Sequence, residues 1–546
     1  MRETIVKYIK LFGNFIFNVS YCQRFMILVL TITLIPIVNI YLPFLRKVML
    51  IWIIIIIVKD IIFDRDLFNN SISKLLILFS LMSIVTIFLN YNNNLSSNIS
   101  FYVYTLTIML GASLYVSRRS KEQTIVDIYN IGRSFVILTF LLSLLSIIIF
   151  VCNINIILYN ESLGTYYSFY YRGRLPGLYF SATMGALIML TSFMISCINL
   201  YINYFYRQNG KIKYVYVSNI IVQGFLIYAT DSRGSIVSLT TFSILFSILI
   251  ICPLLYKTRY TKSVIRVMCI AVILFTGLSF AILIPNIRNV MPRIPYIGKN
   301  ISELLNVEWN DNEKIYIDGS TVCIEPILIN KNLTTPVESE LINKKESNGT
   351  SQTIDSKTVE NKVKEETLSE NEMKNDEKSA QNKINMERLE VLDVSNGRFD
   401  IWKAALKAYI KKPIFGLSVE NTSKSVNEYL PQDERILNIL SEKTKNCHNS
   451  YLQVLVNNGI VGFGIFILIA VIYAVTIFKY LLKSKHSISY LILLIFAMIL
   501  TLCVTALFEW SIVLNVSATV PIFWLYLNFT YNYIKDKEYK KEERLR

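Results

Sequence analysis

The chain has 546 residues, is 53% hydrophobic and carries a formal net charge of +16, with a mean hydropathy of +0.45. That apolar content excludes an ordinary soluble globular protein of this size. The charge alone would suit a nucleic-acid binder. In a chain of many apolar blocks, however, Lys and Arg gather in cytoplasmic loops and hold the orientation, so no nucleic-acid partner is expected.

The apolar residues fall in blocks near the usual span length of roughly 17–25 residues. The first block, 25–42, leaves no small-residue cleavage site behind it and reads as a retained span, not a secretory signal. Blocks follow at 48–64, 73–90, 99–117, 134–156, 179–205, 214–230, 234–256 and 265–285, and then at 459–480, 487–508 and 511–533. About twelve transmembrane helices predict an all-α integral membrane protein. The second block is the weakest, because Lys59 and Asp60 sit near its end. The organisation expected is N-terminal spans in 1–160, spans with arginine motifs in 161–285, a large loop in 286–448, C-terminal spans in 449–534 and a basic tail in 535–546.

Loop charge sets the expected orientation. With the N-terminus in the cytoplasm, the inner connections carry Arg118, Arg119 and Lys121; Arg207, Lys211 and Lys213; Lys257, Arg259 and Lys262; and Lys479, Lys483 and Lys485. The tail "KDKEYKKEERLR" is also inside, whereas "YNNNLSSN" on the other face is free of charge. Arg46 and Lys47 run against the rule. The large loop then lies outside the cytoplasmic membrane. Its segment 335–390 is polar, charged and poor in aromatics, a composition that cannot offset its chain entropy, and it is expected to be disordered. After it, Phe399, Trp402, Leu406 and Tyr409 recur at helical spacing with lysines on other faces, and Pro413 stops the run. This predicts an amphipathic helix on the outer membrane surface.

The eight cysteines show no metal-ligand spacing, and no phosphate loop opens a helix, so neither metal nor nucleotide cofactor is expected. Cys323 and Cys447 are the two cysteines of the outer loop and could pair as a disulfide. The outer face carries arginines that topology does not explain. Arg172 and Arg174 precede the sixth span, Arg233 follows Asp231 and Ser232 in a tight connection, and Arg398 opens the amphipathic helix. Each alone could meet lipid phosphate or a neighbouring acid such as Asp231. As a set they suit a diphosphate, whose oxygens guanidinium forks bind bidentately. His448, one of two histidines, lies on the same face before the helix formers "YLQVLVNN". It reads either as a general base or as a residue packed at a helix start that Asn449 caps. His486 reads as a cytoplasmic surface residue. Glu509 sits at the outer end of an apolar pair of spans, where a carboxylate is costly unless it pairs an arginine or contacts substrate.

The segments "RLPGLYFSATMGALIML", "ATDSRGSIVSL", "GRFDIWKAALKAYIKKPIFG" and "CHNSYLQVLVNNGIVGFGIFI", in that order, resemble the O-antigen ligase and polymerase family of polytopic membrane glycosyltransferases. The resemblance covers roughly 165 to 515; earlier residues match only as generic spans. Its most specific elements are His448, Asn449 and Leu452 with Gly459 and Gly462, and the run Ser232 to Gly234. It implies a GT-C-like helical fold, a donor glycan linked to undecaprenyl pyrophosphate, and metal-independent inverting transfer on the extracytoplasmic side. Arg174 and Arg233 would bind the pyrophosphate, and His448 would activate the acceptor. The family often has a Pro-Asn pair after its first arginine motif; here "YFSATMG" stands there, which leaves the choice between Arg172 and Arg174 open.

Two reactions fit this resemblance. A polymerase joins one lipid-linked repeat unit to another; a ligase moves a finished glycan to a different acceptor. Heavy use of Ile, Asn, Lys and Tyr suggests an AT-rich bacterial genome. If that means a Gram-positive cell, no lipid A core receives the glycan, which favours the polymerase. Other members of a glycan-assembly machinery are candidate partners. A lipid-linked oligosaccharide flippase would also have about twelve spans, but it would carry polar residues and broken helices at the midplane. Here the notable charges gather at one face.

Overall fold

The structure is a computed structural model that describes residues 12–91, 94–114, 120–152, 154–160, 164–170, 174–205, 210–251, 314–317, 320–326, 397–430, 446–483 and 490–543. These residues fall in one compact unit, formed by Met1–Pro326 and Gly397–Arg546. The expected span 265–285, the segment 335–390 and Arg172 lie outside the described residues.

The first expected span is divided. Helix α1, Val19–Ile32, starts where the Asn18 side chain accepts the Tyr21 N–H, and α2 spans Pro36–Tyr41. Pro36 lacks an N–H for the helical ladder and tolerates only a first-turn position, so the chain breaks at Thr33–Ile35. Helix α3, Phe44–Lys59, ends in a π-turn at Asp60–Asp64. The charges that weakened this span organise its end. Lys59 pairs Asp64 at 2.6 Å, and the Asp60 carboxylate accepts the Asp66 and Leu67 N–H groups.

Helices α4 (Ser71–Leu89), α5 (Leu95–Ser113) and α6 (Lys121–Val151) follow. A capping box between Ser120 and Gln123 starts α6 well before residue 134, because its first turns are too polar to register as a span. Next come α7 (Ala182–Phe205), α8 (Ile212–Ala229) and α9 (Arg233–Phe246). A small sheet joins the helices. Strands β1 (Ile154–Asn160), β2 (Gly164–Ser168), β3 (Lys314–Ile317) and β4 (Ser320–Pro326) run antiparallel in the order β2-β1-β4-β3, with Ile154 opposite Pro326. The expected fifth span therefore stops at Val151, and its last residues, Ile154 to Ile156, open strand β1.

Helices α10 (Arg398–Ile410), α11 (Val419–Tyr429), α12 (Ser450–Lys483), α13 (Tyr490–Thr505) and α14 (Thr519–Glu543) complete the described chain. The last expected span starts eight residues late, since 511–518 is irregular. Among the described residues, the stretches 71–89, 122–151, 182–205, 212–229 and 450–482 are helices long and apolar enough to cross a membrane. Shorter apolar helices are Val19–Ile32, Arg233–Leu249 and Tyr490–Thr505. The chain is thus a multi-pass helical membrane protein.

Polar side chains bind the bundle from within. The Asn219 amide donates to Ser192 Oγ at 2.9 Å and Ser196 Oγ at 2.8 Å. Gln223 donates to Asn219 Oδ1, and Ser143 donates to Gln223 Oε1. All five are buried, and they tie α6, α7 and α8 together where apolar packing alone gives little preference over lipid.

Candidate active site

The site begins at the turn between α8 and α9. Asp231 holds a left-handed backbone, φ 47°, an uncommon state for a residue with a side chain. The chain at Arg174 and Leu175 is laid against this turn: Leu175 N–H donates to Ala229 O at 3.0 Å, and Arg174 Nε donates to Thr230 O at 2.9 Å. Arg233 is the first residue of α9 and is exposed. Ser232, at the N-cap, makes no capping bond; its hydroxyl donates to Ser235 instead. The start of α9 thus receives no cap from the Ser232 side chain.

Gly234 explains the third residue of the "SRG" run. A Cβ there would stand 3.2 Å from Phe508 Cβ and 3.9 Å from Arg398 Nη1. The missing side chain lets α9 approach the end of α13, and Thr505 Oγ1 donates to Ser238 Oγ at 2.8 Å across the same contact. This approach brings Glu509 and Arg398 to the turn that carries Arg233.

Glu509 is the hub. Its Oε1 accepts from Arg398 Nη2 at 2.5 Å, and its Oε2 lies 3.5 Å from His448 Nδ1. The Arg398 and Glu509 side chains keep 17% and 11% of their exposure, against 35% for His448. The arginine contact is a charge-assisted hydrogen bond. The histidine contact is electrostatic at this length, and Nδ1 has no hydrogen-bond partner.

The backbone around His448 is fixed from several sides. His448 has φ 45°, and its N–H donates to Asn446 Oδ1 at 2.8 Å. Asn449 caps α12 as its sequence suggests, accepting the Tyr451 and Leu452 N–H groups at 3.0 Å. Ser450 staples the helix start to the chain after α13. Its N–H donates to Ala506 O, its hydroxyl donates to Glu509 O, and it accepts from Ser511 N–H. Trp402 Nε1 donates to Cys447 O at 3.0 Å, so α10 holds the residue next to His448. Cys447 is a buried free cysteine, which removes the expected disulfide with Cys323. Burial pushes its thiol up to about 12.

A second junction sets the spacing of α10 and α12. Gly459 breaks α12 with φ 65° and ψ −172°, and the segment 413–418 crosses the break. Leu417 and Ser418 donate to the carbonyls of Val456 and Asn457; Ile460 and Val461 donate to those of Pro413 and Ile414. The freed backbone groups are satisfied by the chain itself, as apolar surroundings require. Helix α4 holds the crossing: Thr86 donates to Phe415 O, Asn90 to Gly416 O, and Asn458 donates to Ser83 Oγ at 2.8 Å. Hydropathy does not reveal this junction; its trace in sequence is the pair Gly416 and Gly459, both at positive φ.

The structure therefore brings Arg174, Asp231 and Arg233 to one turn, with Arg398, Glu509 and His448 joined beside Gly234. Among the described residues, no group of three or more His, Cys, Asp or Glu side chains gathers as a metal site would. No curated protein matches the chain. Residues 219–467 match the family described as O-antigen ligase, a stretch that holds Arg233, Arg398 and His448. This match supports assignment of the chain to the O-antigen ligase and polymerase family.

Proposed function

We propose that the chain is an inverting, metal-independent glycosyltransferase on a GT-C-like frame, which polymerises glycan repeat units from an undecaprenyl-pyrophosphate donor. In this reading it lies in the cytoplasmic membrane with both termini in the cytoplasm and the site on the extracytoplasmic face. The observation that carries it is Glu509 held between Arg398 and His448, beside the turn bearing Arg174 and Arg233. A cationic surface and a basic nitrogen are what the two halves of the reaction need.

Arg174, Arg233 and Arg398 hold the donor pyrophosphate, and the N-terminal dipole of α9 adds to their charge. His448 Nε2 takes the proton of an acceptor hydroxyl as that oxygen attacks the anomeric carbon. The bond from that carbon to the pyrophosphate oxygen breaks on the opposite face. The leaving group departs as undecaprenyl pyrophosphate, its growing charge met by guanidinium groups already in place. Glu509 steadies the imidazolium that forms, and Asn449 holds the helix start behind it.

The test is transfer by the purified protein in lipid, with a lipid-linked donor. His448→Ala should lower turnover by roughly 10²–10⁴-fold, the usual worth of a positioned base, while donor binding persists. Arg174→Ala or Arg233→Ala should weaken binding and rate together, with lysine restoring only part because a point charge cannot replace the fork. Near-normal turnover in His448→Ala would remove the base. Supplying a second lipid-linked repeat or a finished-glycan acceptor separates polymerase from ligase by which one is extended.

A further inference from the structure

Helix α10 buries one face and leaves another bare. Ile401, Ala404, Ala405 and Ala408 are 0–1% exposed and pack in one cluster with Leu417, Val426 and Val456. Trp402 and Tyr409, expected on the outward apolar face, instead pack partly against that cluster. The outward stripe is Phe399, Leu406 and Ile410, continued by Ile414 beyond the helix end. At about 100° per residue the first three share one line along the helix, with Lys403 and Lys407 next to them round the axis. Both lysines are exposed.

The far end of the stripe meets a membrane-spanning helix. Lys412 Nζ donates to Asn90 Oδ1 at 2.8 Å, and Thr86 donates to Phe415 O at 2.7 Å, which fixes residues 412–415 at the end of α4. There Phe88, Leu89 and Tyr91 are also exposed. An apolar band thus runs from the end of a spanning helix along α10, with a row of ammonium groups on one side.

We propose that this stripe is a membrane-interface surface: Phe399, Leu406, Ile410 and Ile414 enter the acyl boundary of the leaflet at the site's end of the bundle, and Lys403 and Lys407 bind acidic phospholipid headgroups. Lysine stems lie along apolar surface while their charges reach phosphate, which suits this placement. The surface rests on α10 and α4, and it stands whether or not the transfer reading does.

The test uses the full chain in nanodiscs of phosphatidylcholine and phosphatidylglycerol in equal parts. A diazirine amino acid replaces Ile410 or, in a second variant, Leu406, and photoadducts are read by mass spectrometry. Lipid adducts are expected at both positions, with phosphatidylglycerol favoured by about 5-fold for each lysine near the surface. The added pair Lys403→Gln and Lys407→Gln should bring that preference close to unity while lipid adducts persist. Adducts confined to water would overturn the proposal, as would adducts only with the chain's own residues, which would mean that another segment covers the stripe. Equal labelling of both lipids with the lysines intact would overturn the assignment of acidic headgroups.

Discussion

At the scale of single residues, Glu509 joins two groups that the sequence separates by 50 positions, Arg398 and His448. Its isolation in an apolar stretch marks it for a partner, but sequence cannot say which cation it takes. The structure gives it both, one on each oxygen. Glu509→Gln keeps the shape and one hydrogen bond to Arg398 but removes the charge that faces the imidazole. We expect turnover to fall on the order of 10²-fold, closer to loss of the base than of a rim charge. Stability should fall by about 1–3 kcal/mol, because Arg398 is left partly buried against a neutral group. Transfer assays and thermal unfolding of the purified variant check the two effects separately. Normal turnover in a destabilised variant would reduce Glu509 to a structural brace. Asp231 and His448 share a further property, a left-handed backbone without glycine. Such conformations cost free energy and persist where the surroundings over-determine them, as the Asn446 and Ser450 contacts do for His448.

At the scale of elements, the crossing of segment 413–418 over the break in α12 is the least legible feature and the most demanding. A Cβ at Gly459 would collide with the Ile414 backbone, and one at Gly416 with Asn457 and Gly459. Gly459→Ala therefore adds backbone strain at φ 65° to a contact with no room. We expect a loss of at least 1–3 kcal/mol, the usual cost of such strain alone. Gly464 is in the same helix and has nothing within 4 Å of its Cβ position, so Gly464→Ala should be neutral or slightly stabilising. Unfolding of both variants in detergent tests the contrast; equal stabilities would mean that the crossing yields. Hydropathy read the helices well where a whole span is apolar, as in α4, α7 and α8. It failed where local chemistry overrides the average. Pro36 divides the first span, a polar capping box starts α6 early, and Ile154 to Ile156 leave the expected span to pair with β4, a partner far away in sequence.

At the scale of the whole molecule, the candidate site is a junction of segments near residues 174, 231, 398, 448 and 509. Their selection as candidates was legible, because arginines on the face expected to lack them and a lone carboxylate need a reason. Their adjacency was not, since it depends on long-range contacts such as Gly234 against Phe508. The segment expected to lie between two of these pieces, 335–390, is outside the described residues, and none of the residues named at the candidate site comes from it. Both of its flanks are anchored independently. β4 is paired along β1, while α10 is tied by Arg398 to Glu509 and by Trp402 to Cys447. Deleting 335–390 leaves 327–334 and 391–397, which extend to roughly 50 Å at about 3.3–3.6 Å per residue. We therefore expect the deletion variant to keep turnover within a few-fold of the full chain and to unfold at nearly the same temperature. In the proposed orientation, a cysteine placed in this segment of the full chain should react with a membrane-impermeant maleimide in intact cells. Labelling only after the cells are opened would reverse the orientation and move the site to the cytoplasmic face. Loss of turnover in a deletion variant of unchanged thermal stability would instead give the segment a direct part in transfer, with the polar chain reaching substrate.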